Sequence, residues 1–324
     1  MVKELKNLVV FAALATAVVP ALISCSQDRP DLEPSPIRFA YQNRIGSAIC
    51  VIAVDKGFFS AHGVKVEPFL FNSGPACAET LYAGAADIAA MGDSTAIITL
   101  RRNQNVSLLV SHASGEHRHR MMVGADSGYM NIGDLKGKRI GIKKGTSTYG
   151  GLLKYLQVNN FDPDMFEIVN LKPSTMPEAL ASGSIEAFAA SEPTPSLAGM
   201  QDARELTTFG NLGNNYPIMT LVNQEFASSR PEDIDAFMAA LADADTFIRQ
   251  NPGAATQIMA QKLNMPLEIT QKAMQRHDFT LDLGETVLSS LSQTARFLHS
   301  EGVIDQVPHM RVFKKNASPK EPRK

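Results

Sequence analysis

The chain is 324 residues long, 44% hydrophobic and 20% charged, with a formal net charge of −2. That is enough apolar material for two cores of ordinary size. The near-neutral balance, the absence of tryptophan and a 7% aromatic content exclude a basic, stacking surface for nucleic acid.

Lys3 and Lys6 precede an apolar run at 8–23 that Pro20 interrupts. The run is short for a bilayer span of about 20 residues and reads as a targeting segment. It ends in Leu22-Ile23-Ser24-Cys25, which resembles the lipobox of bacterial lipoproteins. The resemblance implies a signal peptide over 1–25 with Cys25 as the lipidated residue. Residues 26–36, with Pro30, Pro34 and Pro36, are expected to form a flexible tether.

Residues 37–41 alternate like a strand and break at Gln42-Asn43-Arg44-Ile45-Gly46. Helical spacing follows over 47–59, then a strand at 64–71, a helix at 76–83, a strand at 87–91, a helix at 94–102 and a strand at 106–111. Small polar clusters, Asn72-Ser73-Gly74-Pro75 and Gly92-Asp93-Ser94-Thr95, sit where strands give way to helices. Helix N-termini carry unpaired N–H donors and positive dipole ends, so such a sheet edge suits an anion. It is also the edge where open α/β sheets bind ligands.

A polar run containing His112, Glu116, His117 and His119 breaks the series. A second α/β series starts with extended residues 121–124 and continues with a strand at 139–142. That strand leads to Gly145-Thr146-Ser147-Thr148-Tyr149-Gly150 and a helix. Further strands are expected at 167–171, 185–190 and 205–209, and an extended run at 216–222. Helices follow at 231–250, 252–263, 267–276 and 285–300, several with proline in the first turn. The basic, proline-containing end, 313–324, is expected to be disordered.

Three passages together resemble a known family. The first is Ala53-Val54-Asp55-Lys56-Gly57-Phe58-Phe59 running on to Gly63-Val64-Lys65-Val66-Glu67. The second is Asp134-Leu135-Lys136-Gly137-Lys138-Arg139-Ile140-Gly141 with Gly145-Thr146-Ser147. The third, over 217–252, sets an extended run before Arg230-Pro231-Glu232, a long helix and Gln250-Asn251-Pro252. The chain is similar here to the solute-binding proteins of ABC importers for taurine, aliphatic sulfonates, nitrate and thiamine precursors. The resemblance implies an α/β, two-lobed periplasmic-binding-protein-like fold (type II), with two mixed, mostly parallel sheets joined by two crossover strands. Lobe one would be 37–121 plus 223–312, lobe two 122–222, and the crossovers 121–124 and 217–222. It further implies a lipid-anchored monomer outside the cytoplasm that takes a small anionic ligand by hinge closure. The ligand would pass to an ABC permease with its ATPase subunit.

Site candidates follow from the strand ends. Gln42, Asn43 and Arg44 come after the first strand, where Arg44 is either an anion clamp or a loop charge. Ser73, Gly74 and Pro75 form the turn before the second helix, and Asp93, Ser94 and Thr95 the next, with Asp93 equally readable as an N-cap. Thr146, Ser147, Thr148 and Tyr149 open the first helix of lobe two. Glu192, after the 185–190 strand, is either a partner for a ligand amine or a loop carboxylate. His112, His117 and His119 with Glu116 lack the cysteines or second cluster of a closed metal site, so no metal and no cofactor are expected. Cys50 and Cys77 read as two buried small hydrophobes, with a disulfide as the alternative. Nothing resembles a Walker A or nucleophile-elbow motif, and the chain reads as a non-enzyme. Its rivals are a thiamine-pyrimidine synthase or chorismate-dehydratase-like enzyme on the same fold, or a ligand-sensing lipoprotein.

Overall fold

The computed structural model describes residues 35–314. The expected signal peptide, Cys25 and the tether up to residue 34 lie outside the described residues, as do 315–324 of the expected tail.

The first sheet is built from β1 (Ile37–Gln42), β2 (Val66–Phe71), β3 (Ile88–Gly92) and β4 (Val106–Ala113). The chain then leaves it for a second sheet, made of β5 (His119–Gly124), β6 (Arg139–Ile142), β7 (Glu167–Asn170), β8 (Ala187–Ser191) and β9 (Ala203–Thr208). It returns as β10 (Ile218–Asn223), which enters the first sheet between β3 and β4. The strand orders are β2-β1-β3-β10-β4 and β7-β6-β8-β5-β9. In both sheets the first three strands run parallel, and the fourth is antiparallel to its two neighbours. Each fourth strand is the one that has just arrived from the other lobe, so the two lobes follow one plan.

The chain therefore crosses between sheets over 114–118 and 209–217. The extended runs expected as crossovers are the sheet-bound ends of these passages, with 121–124 inside β5 and 218–222 inside β10. Their apolar character comes from burial in the sheets. The first crossing, Ser114-Gly115-Glu116-His117-Arg118, is polar, whereas the second carries Phe209 and Tyr216 into the core of the second lobe.

Helices α1 (Ala48–Asp55) and α2 (Phe58–Ala61) replace the single helix expected over 47–59. Gly57 separates them at φ +69, a left-handed conformation that costs glycine little. α3 (Gly74–Tyr82) and α4 (Asp93–Arg102) follow β2 and β3. α5 (Ser147–Val158), α6 (Met176–Ala181) and α7 (Thr194–Ala198) belong to the second lobe. After β10 come α8 (Gln224–Ser229), α9 (Pro231–Gln250), α10 (Pro252–Leu263), α11 (Leu267–Met274) and α12 (Glu285–Ser300). α9, α10 and α12 have the bounds that the proline and hydrophobic pattern predicts.

β1 shows how the first sheet is sandwiched. Phe39 and Tyr41 join one core and Ala40 the other, because alternate side chains of a strand point to opposite faces. α1, α2 and α9 close the first face, where the rings of Phe59 and Phe237 stack at 5.0 Å and Phe39 meets Phe237 edge-on at 5.0 Å. α4 and α12 close the second face through Ile97, Leu100, Leu291 and Leu298. Cys50 lies in the first core and Cys77 in the second. Both are free thiols, kept apart by the sheet.

Truncating Phe237, which is fully buried, to alanine should cost about 3–5 kcal/mol of stability. Urea unfolding reads this directly, and a loss below about 1 kcal/mol would contradict the central place of α9 in the core.

Candidate functional site

The carboxyl ends of β1, β3, β6 and β8 converge on the gap between the lobes. The approach is close. A Cβ at Gly92 would stand 2.2 Å from Ser147 Oγ, and one at Gly150 would stand 3.0 Å from Ser94 Oγ. Only glycine lets the N-termini of α4 and α5 face each other at this distance. Thr95 Oγ1 donates across the gap to the Gly145 carbonyl at 3.2 Å, and Arg44 Nη1 to Ser191 Oγ at 3.5 Å.

Within this gap, buried polar atoms lack partners. They include Arg44 Nε and Nη2, Arg118 Nε and Nη1, Ser94 Oγ, and the Nε2 atoms of His112, His119 and His277. Arg118 is the largest fully buried side chain among the described residues, steadied by one bond from Nη2 to the Tyr216 carbonyl at 2.8 Å. Asp93 is the carboxylate that offsets both guanidiniums. Its own oxygens accept from Ser94 N at 2.7 Å and Thr294 Oγ1 at 2.9 Å.

The electrostatics follow from crowding cations out of water. Burial lowers Arg44 to about 10, while Cys77 and Asp93 pull it back. Burial, with repulsion from Arg44, lowers Arg118 to about 9. Burial and the two arginines hold His112 at about 3 and leave His119 well below its ordinary value. His277 is likewise pushed to about 3, by burial and then Arg118. His277 Nδ1 bonds the Ala273 carbonyl at 3.0 Å. A carbonyl only accepts, so that nitrogen carries the proton and Nε2 faces the gap as a bare acceptor. His119 Nδ1 pairs with Thr148 Oγ1 at 2.8 Å, and its ring stands edge-on to Tyr216. His112 Nδ1 pairs with Thr220 Oγ1 at 3.0 Å.

A buried donor without a partner costs about 1–3 kcal/mol, more when charged. Two guanidiniums sharing one carboxylate are therefore a burden on the empty protein. An anion between them would remove it. Beyond Ser94 and Ser147 the gap opens into a cavity of about 410 Å³, within the range of small-molecule sites.

Of the residues expected from sequence, Arg44, Asp93, Ser94 and Ser147 meet here, and Thr148 supports His119. Thr95 is spent on the interlobe bond. Gly74 lies against it, since a Cβ there would stand 3.0 Å from Thr95 Oγ1, with Ser73 and Pro75 at the same helix start. Thr146 caps α5, donating to the Lys143 carbonyl at 2.7 Å and accepting from Tyr149 N at 3.4 Å. Tyr149 lies against the second lobe's core, Gln42 is buried at the end of β1, and Asn43 is exposed. Glu192 is committed elsewhere. Its carboxylate accepts from Arg120 Nη1 at 2.8 Å and Ser196 N at 3.3 Å, so it offers no free oxygen for a ligand amine. No sequence pattern singles out Arg118 or His277, and the sequence offers His112 and His119 only as candidate metal ligands. The sole signal was the density of polar residues at the first crossing. His117 is exposed and bonded to Thr208, and no metal-holding group of His, Cys, Asp or Glu occurs among the described residues.

Comparison with known proteins agrees with this architecture. A Brucella abortus protein named as a binding protein is 26% identical over 71% of this chain and 72% of its own length. A Bacillus subtilis protein named for binding aliphatic sulfonates is 24% identical over 83% of this chain and 82% of its own. The crystal structure of the periplasmic aliphatic sulphonate binding protein SsuA from Escherichia coli superposes with a TM-score of 0.77 at 21% identity. It covers 86% of this chain and 97% of that one. Residues 45–255 match the family described as NMT1/THI5 like, and with well over half its length inside that match, the chain belongs to this family.

Proposed function

We propose that this chain is the extracytoplasmic solute-binding component of an ABC importer and that it captures a small anion of the sulfonate type between its lobes. The observation that carries this reading is the pair of buried guanidiniums, Arg44 and Arg118, whose free N–H groups lack partners in the gap. A sulfonate supplies three acceptor oxygens and one negative charge, which suits charge-assisted donors from two arginines and Ser94. The sulfonate-binding names of relatives along most of the chain support the same class. Delivery to a membrane permease with its ATPase, and anchoring of a monomer through Cys25, complete the reading. The anchor rests on the lipobox-like Leu22-Ile23-Ser24-Cys25.

Binding is favoured over catalysis by the thiols. Burial pushes Cys77 up to about 12 and raises Cys50 as well, so neither supplies a thiolate at neutral pH.

The first test is a thermal-shift panel of taurine, alkanesulfonates, nitrate, dicarboxylates and pyrimidines. A ligand at a hundredfold its Kd should stabilise the protein by about 2.7 kcal/mol. A shift from pyrimidines alone would overturn the anion reading.

Arg118→Met and Arg44→Met separate a binding charge from a structural one. Each should remove sulfonate binding, a loss of about 2–5 kcal/mol, while leaving the ligand-free protein about as stable as before, because one guanidinium still faces Asp93. Lower stability with binding retained would assign the arginines to the fold instead.

The histidines give a pH signature. Their folded pKa values lie below the ordinary 6.5, so the unfolded chain takes up protons that the folded chain refuses. Stability is full above about pH 6.5 and falls as pH drops below it, toward about 3 for His112 and His277, by up to about 1.4 kcal/mol per pH unit for each histidine. His277→Gln should flatten the melting profile between pH 7.5 and 5 by one proton's worth. An unchanged slope would mean that His277 is not held neutral.

A further inference from the structure

The cavity beyond the arginine pair carries its own chemistry. Lys154, on α5 of the second lobe, and Arg296, on α12 of the first, line it from opposite sides with Gln157, Gln293 and Phe297. Lys154 Nζ donates to Gln157 Oε1 at 3.0 Å and stands 6.0 Å from the centre of the Phe297 ring. Neither Lys154 nor Arg296 forms a salt bridge among the described residues, whereas Arg101, Arg120, Arg139, Arg249, Lys262 and Lys272 all do. The cavity adjoins the arginine pocket at Ser94, whose hydroxyl is buried and unpartnered.

We propose that the physiological ligand has two anionic ends, one seated at Arg44 and Arg118 and the other reaching into this cavity to bridge Lys154 and Arg296. This deepens the solute-binding reading and rests on it. Lys154 and Gln293 are half-buried and Arg296 is exposed at the cavity mouth, so a bare alkyl tail would lie between two cations without pairing either. A carboxylate or second sulfonate on a short chain pairs both cations instead. Because they belong to different lobes, the second charge makes contacts that exist only when the lobes are closed. Such contacts shift the hinge equilibrium toward closure. The ligand class is thus a short sulfo-carboxylic or dicarboxylic acid rather than an alkanesulfonate.

The test is titration calorimetry on the mature chain with matched pairs of equal backbone. These are 3-sulfopropanoate against propane-1-sulfonate, and glutarate against pentanoate. The expected result is that the two-headed member of at least one pair binds ten-fold or more tightly than its one-headed partner. K154Q/R296Q should erase that preference while changing affinity for the one-headed member less than twofold. The single variants K154Q and R296Q should each lose part of it. Equal or tighter binding of the one-headed members overturns this proposal and leaves the anion-binding function standing. So does a preference that survives in the double variant. No binding by any member overturns both.

Discussion

Two positive charges held out of water with one carboxylate between them are the constraint around which this molecule is arranged. Arg118 sits on the first crossing between lobes, and its single bond goes to the Tyr216 carbonyl on the second. The two crossings thus hold one cation between them, and the floor of the pocket is the hinge. Arg44 arrives from the end of β1 and Asp93 from the start of α4, both in lobe one. His119 and Ser147 arrive from lobe two. With Arg44, Arg118 and Asp93 ionised and the three histidines neutral, the pocket carries one excess positive charge. One negative charge balances it, so a second negative charge on a ligand finds its partners outside, at Lys154 and Arg296.

Direct attraction between the lobes is modest. Thr95 to Gly145 and Arg44 to Ser191 are long hydrogen bonds. The ion pair that joins Glu205 of lobe two to Arg276 of lobe one, at 3.2 Å, is about one third exposed on each side. Pairs so open to solvent contribute about 0–1 kcal/mol. Arg120 grips Glu192 and Glu205 together, fixing the lobe-two half of that contact but adding little across the gap. A closed state with so little direct attraction, and with unpaired cations inside it, needs the ligand's contacts to stay shut. That is the energetic form of hinge closure on a ligand.

Much of the fold could be read from local pattern. Proline in the first turn sets the starts of α9 and α10, helical hydrophobic spacing gives the bounds of α12, and strand alternation places β1. The site was only half legible, and the division has a physical cause. Arg44, Ser94 and Ser147 follow strands directly, so chain order alone puts them on the ligand edge. Arg118 and His277 lie in connections, where a sequence shows polarity but not burial, and they reach the pocket only because two sheets come together. Glu192 shows the converse failure. Its place after β8 was read correctly, but Arg120 on the neighbouring β5 captures its carboxylate, a cross-strand pairing that only the register His119↔Ser191 and Arg120↔Ala190 reveals. Thr146 is engaged nearer home, since a hydroxyl at a helix start serves the helix first, here between the Lys143 carbonyl and Tyr149 N.

The glycines at the gap show why an anion, rather than a protein side chain, completes the site. At Gly92 and Gly150 there is no room for a Cβ, so no residue at either position could extend a carboxylate toward the arginines. The one carboxylate present, Asp93, is turned aside by Ser94 N and Thr294. Its negative charge lowers the cost of burying two guanidiniums, while its oxygens leave their N–H groups free. A direct Asp93–Arg118 salt bridge would have stabilised the empty protein at the expense of the ligand. The positions of Gly92, Gly150 and Thr294 instead keep the donors unpaired, and the free energy withheld from the fold becomes available to whatever anion enters the gap.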